Sequence, residues 1–79
     1  MQAHGYWLHF CRNVRYLREK NRLSLSAMAK IMHVSVKSLK RIESGDIPDR
    51  TLISVVSNLA EYFQIPGNRL FSPLEPVSE

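Results

Sequence analysis

The chain is expected to be all-α, a compact bundle of four to five short helices. Two observations point there. Apolar residues recur at intervals of three and four in successive stretches of the 79-residue chain, the period of helices with one buried stripe. The alternation of a half-buried strand is missing, and apart from Gly5 the glycines and prolines all fall after residue 44. The size and the 44% hydrophobic content fit one globular domain. A domain this small buries only about 60% of its unfolded surface, so its core must be economical.

The elements follow in order. Trp7, Phe10, Val14 and Leu17 form one stripe on a helix running to about Asn21, and all four are expected in the core. Ser24 reads as the N-cap of a short helix, LSAMAKIM, whose Met28, Ile31 and Met32 face inward. The chain turns at His33. Ser35 caps a helix that ends at Gly45, a natural left-handed C′ residue. "DIPD" is a loop, and Asp49 caps a longer helix to about Phe63, with Leu52, Val55, Val56, Leu59, Ala60 and Phe63 inside. Pro66 starts a weak turn that returns Leu70 and Phe71 to the core. "SPLEPVSE" has two prolines and no periodicity, so residues 1–71 read as the domain and 72–79 as a flexible tail.

Charge is polarised along the chain. From Arg12 to Arg41 nine lysines and arginines face one acid, Glu19, a balance of +8; from Ile42 onward two bases face six acids, a balance of −4. Such a basic half suits a polyanion. No apolar run approaches the roughly 18 residues that span a membrane. MQAHGYWLHF has no basic segment followed by an apolar one, so no secretory signal is expected. Cys11 is the single cysteine. No disulfide framework is available, which suits the cytoplasm, and the thiol is expected to act as a small buried hydrophobe. The spacing of His4, His9 and Cys11 fits no standard zinc motif, and no histidine has a base-and-orienter arrangement around a nucleophile. Neither a metal, a cofactor, a small-molecule ligand nor catalysis is expected.

The helices at about 25–32 and 36–44 are joined by roughly three residues, a helix-turn-helix arrangement. On the second of them Val36, Lys40, Ser44, Lys37 and Arg41 fall within an arc of about 140°, with Leu39 and Ile42 opposite and Ser38 and Glu43 at the borders. One face can be buried while the other carries three cations, the division a groove-reading helix needs.

The run from Phe10 to Phe71 resembles the lambda-repressor and Cro-like helix-turn-helix family, often called the XRE family. The residues that carry the resemblance are "NVRYLRE", "LSLSAMA", "VSVKSLKRIESG", "TLISVVSNLA" and "FQIPGNRLF". The most specific part is the spine of Ala29, Val34, Ser35, Leu39, Ile42, Glu43 and Gly45. The resemblance implies a sequence-specific DNA-binding regulator, a repressor in first expectation, that meets operator DNA and usually forms a two-fold homodimer. It implies an ion pair between Arg18 and Glu43. It assigns base readout to Val36, Lys37 and Arg41, and phosphate contacts to Ser24, Ser26, Ser38, Lys40 and Ser44.

The chain departs from the family's pattern at three places. Leu25 stands where a glutamine usually braces the reading helix, His33 stands where the turn usually has glycine, and "GDIPDRTL" is a short loop with two acids. These departures keep a second expectation in play: a protein-interaction module or antitoxin-like regulator subunit, with Ile53 and Tyr62 exposed for a partner.

Overall fold

The computed structural model of the chain describes residues 4–46 and 52–74. Its order is α1 (His4–Lys20), α2 (Leu25–Met32), α3 (Val36–Glu43), α4 (Leu52–Phe63) and a 3₁₀ helix at Gly67–Phe71, with no strand among the described residues. The all-α bundle expected from the periodicity is present, and no helix among the described residues is long and apolar enough to cross a membrane.

Serine side chains start two of the helices. Ser24 and Ser35 have extended backbone, and each Oγ accepts from an amide three residues on, Ala27 and Ser38, at 3.0 Å. Each bond satisfies one donor that the first helical turn would otherwise leave bare.

The four α-helices end alike. A left-handed residue follows each one: Arg22 (φ 55°), His33 (φ 60°), Gly45 (φ 97°) and Gln64 (φ 57°). The next residue's N–H then reaches back to a carbonyl inside the helix. Leu23 bonds to Arg18 at 2.9 Å, Val34 to Ala29 at 3.0 Å, Asp46 to Arg41 at 2.8 Å and Ile65 to Ala60 at 3.0 Å. These are the long bonds of the Schellman turn. Glycine and the histidine turn mark two of the four in the sequence. Arg22 and Gln64 carry no such mark, because the packing of the following residue overrides a left-handed cost of about 1–2 kcal/mol. Leu23, Val34 and Ile65 each fold back against the core. Asp46 is the exception, and it is exposed.

The core draws on every element. Phe10, Val14 and Leu17 of α1 meet Met28, Ala29 and Met32 of α2, Leu39 and Ile42 of α3, Val55 and Leu59 of α4, and Leu70. Burying such a large apolar side chain contributes about 1.5–3 kcal/mol. One expectation is corrected. Trp7 is 36% exposed. It stands at the end of the α1 stripe and packs edge-on against Phe71 (5.2 Å between centroids) and Phe10 (6.3 Å), which stack on each other. Ile31 is half-buried and packs against the core as expected, and Ala29 is buried beside Met28 and Met32. The expected cap at Asp49 lies outside the described residues.

Cys11 is buried, and burial, with the charge of Asp46 adding, pushes its thiol up to about 11, so it stays neutral near pH 7. Asn13 is buried on the apolar face of α1. Its Nδ2 donates to the carbonyls of Leu70 and Ser72, both at 2.8 Å, and its Oδ1 accepts from Leu74 N–H at 3.2 Å. The stretch Ser72–Leu74, expected to begin the tail, is therefore tied to α1, and Leu74 packs against the core. Replacing Asn13 by Ala strands three backbone groups at about 1–3 kcal/mol for each that stays dry. The expected result is a loss of about 2–4 kcal/mol in urea unfolding. A loss below about 0.5 kcal/mol, the range of an ordinary surface change, would mean that this segment docks without Asn13.

Candidate nucleic-acid interface

The candidate surface is built on α3. Leu39 and Ile42 are buried, which fixes the rotation of the helix about its axis. The opposite side then presents Val36, Lys37, Lys40, Arg41 and Ser44, all exposed. Two further contacts hold the helix pair. α3 packs on both α2 and α1, and Asn58 of α4 donates through Nδ2 to the Met32 carbonyl at 3.1 Å, covering the end of α2 just before the turn. The turn itself survives with His33 because histidine accepts the left-handed conformation more readily than a β-branched residue would.

Behind the exposed face lies the ion pair of Arg18 and Glu43. Arg18 Nε meets Glu43 Oε2 at 2.7 Å, and Nη2 meets Oε1 at 3.0 Å, a two-bond fork. The third nitrogen, Nη1, donates to the Leu23 carbonyl at 3.3 Å. One guanidinium thus joins α1, the α1–α2 connection and the last turn of α3. The side chains are only 18% and 11% exposed. The Arg18 pKa is raised, first by the hydrogen bond to Glu43 and against the opposing effect of burial. A raised base keeps its stabilising contribution throughout the range below its ordinary value, so Arg18 stays charged and adds no pH dependence near neutrality.

The sequence-assigned residues divide by environment. Lys37 and Lys40 have no acidic partner among the described residues. Arg41 does: its Nε and Nη2 both reach Asp46 Oδ2, at 3.0 and 2.8 Å. Ser44 donates its hydroxyl proton to the Arg41 carbonyl at 2.8 Å, leaving only its lone pairs for another group. Ser38 is half-buried and accepts from Ser35 Oγ at 3.1 Å, which keeps its own proton free. Ser24 and Ser26 are exposed at the start of α2, where the Leu25 and Ser26 amides precede the first helical bond. Leu25 itself is half-buried against the core. The pairing of Asp46 with Arg41 was missed in the sequence, although Gly45 as a C′ residue already implies that position 46 turns back toward position 41.

The ion pair behind α3 yields a test of the scaffold. Arg18→Ala or Glu43→Ala leaves a buried charge without its partner, and each is expected to cost about 3–5 kcal/mol in chemical denaturation. The paired change Arg18→Met with Glu43→Leu should recover most of that loss. Equal losses in the single and paired variants would show that packing around the side chains, not their charge pairing, carries the stability.

A family model for helix-turn-helix domains matches residues 14–70. No curated protein and no solved structure gives a match. The matched span runs from the middle of α1 to Leu70 and contains the helix pair with its exposed cationic face. The chain belongs to the lambda-repressor and Cro-like (XRE) helix-turn-helix family of DNA-binding transcriptional regulators.

Proposed function

We propose that the protein is a sequence-specific regulator that reads the major groove with α3 and acts as a repressor by occupying its operator, with no chemistry of its own. The observation that carries this reading is the two-sided build of α3. Leu39 and Ile42 are buried, while Lys37, Lys40 and Arg41 share the free face. Long donors on a rigid helix suit the acceptor-rich edge of guanine and the phosphates beside it.

In this reading Lys37 and Arg41 contact base edges, with guanine O6 and N7 as the matching acceptors, and Val36 meets a thymine methyl. Lys40, Ser24, Ser26 and Ser38 contact phosphate, with the start of α2 adding amides and the positive end of its dipole. Ser44 is the weakest of the phosphate group, since its proton is engaged. Affinity is expected to fall by roughly 10³–10⁵ between 50 and 200 mM salt for about 6–10 phosphate contacts. Lys40→Ala should weaken binding to all duplexes alike, and Arg41→Ala should relax sequence preference. Fluorescence anisotropy on duplexes selected from a random pool reads both, and a flat salt response would remove this function.

A second surface supports self-association. Ile53 is 88% exposed, and it borders a groove of about 510 Å³ lined also by Trp7, Val56, Ser57, Ala60, Gly67 and Phe71. None of these residues belongs to α2 or α3, so a homodimer through this face leaves the cationic face free. The same groove serves the alternative reading, a regulator subunit that meets another protein. Ile53→Lys is expected to shift sedimentation toward the monomer without lowering the melting temperature. An unchanged sedimentation profile of a dimeric protein would place the contact elsewhere.

A further inference from the structure

We infer that Asp46 determines specificity: it grips one edge of the Arg41 guanidinium so that the remaining edge is presented to a guanine and not to phosphate. This deepens the reading of α3 as the DNA-reading helix and rests on it.

The geometry has two anchors. The Asp46 N–H donates to the Arg41 carbonyl at 2.8 Å, a bond made possible by the left-handed Gly45. This backbone bond carries the Asp46 side chain back over Arg41, where Oδ2 takes Nε and Nη2 at 3.0 and 2.8 Å. The side edge of the guanidinium is then filled. Among the described residues nothing bonds to the end edge, formed by Nη1 and the second proton of Nη2. Two parallel donors on that edge match guanine O6 and N7, whereas adenine offers a donor at the matching position.

The chain's own pattern singles out Asp46. At the other three helix ends the equivalent residue is Leu23, Val34 or Ile65, and each packs on the core. Only at the end of α3 is it an exposed acid, and only there does it face a residue of the candidate reading surface. The pair is 54% and 58% exposed, so its contribution to folding is small. A carboxylate beside a DNA-facing helix also opposes phosphate, which weakens binding to any sequence. A feature that adds little to stability and lowers general affinity is accounted for if it raises the ratio between right and wrong sequences. An arginine already paired to an acid releases few counterions on meeting phosphate, so its gain comes from the base edge.

The test uses the full chain, with Asp46→Ala, Asp46→Glu and Arg41→Ala beside the unaltered protein. Each is run against the duplex selected by the unaltered protein, the same duplex with the Arg41-dependent guanine changed to adenine, and a random duplex. Asp46→Ala should lose at least about threefold of the guanine-over-adenine ratio, out of the roughly fivefold to 150-fold that a good two-bond contact provides. It should also bind the random duplex more tightly, with a salt slope steeper by about one. Asp46→Glu should keep part of the ratio, and the melting temperature should stay unchanged in both. If Asp46→Ala tightens binding to all three duplexes by one common factor, Asp46 only repels phosphate and the inference is overturned. It is equally overturned if Asp46→Ala changes nothing. A protein that selects no sequence at all removes the DNA-reading function along with it, whereas selection untouched by Asp46→Ala removes this inference alone.

Discussion

The ion pair between Arg18 and Glu43 is the constraint on which the geometry of the molecule depends. α3 is only eight residues long, too short to be stable as an isolated helix. Its pose is imposed from outside, by Leu39 and Ile42 in the core and by Glu43 on the Arg18 fork. Because Arg18 also holds the Leu23 carbonyl, the same side chain sets where α2 begins. A shift in this pair would move the start of α2 and the end of α3 together, and with them the whole exposed face.

The helix ends are the second organising device. After each of the four α-helices a left-handed residue turns the chain off the helix axis. At three of those ends an apolar residue plugs back into the bundle, so turning and core packing are one event. The end of α3 uses the same backbone turn for a different purpose, directing a carboxylate at Arg41. A local folding device has there been turned outward to shape the surface.

The two candidate surfaces lie on different elements. α3 and the start of α2 carry the free cations, serines and amides that suit DNA, while α4, Trp7 and Phe71 line an apolar groove on elements that α3 does not share. Asn13 and Asn58 serve neither surface: each uses its side-chain amide to satisfy main-chain groups of a neighbouring segment. They keep the two surfaces in fixed relation without adding charge to either.

The helical period, the serine caps and Gly45 were legible residue by residue, because each depends on neighbours within one turn of helix. The cationic face of α3 was legible for the same reason, since a 3.6-residue period sorts its residues onto two sides whatever the partner. Contacts between distant segments were not. Asn13 breaks the apolar stripe of α1, a visible sign, but its three bonds reach residues 70–74, which no local pattern connects to it. Arg22 and Gln64 turn left-handed without glycine because Leu23 and Ile65 have a core to enter, and that core exists only after folding. The partial exposure of Trp7 belongs to the same class, whereas the grip of Asp46 on Arg41 is local and follows from the turn at Gly45. Spacing along the chain determines which face a side chain occupies, and only the assembled bundle decides what that face meets.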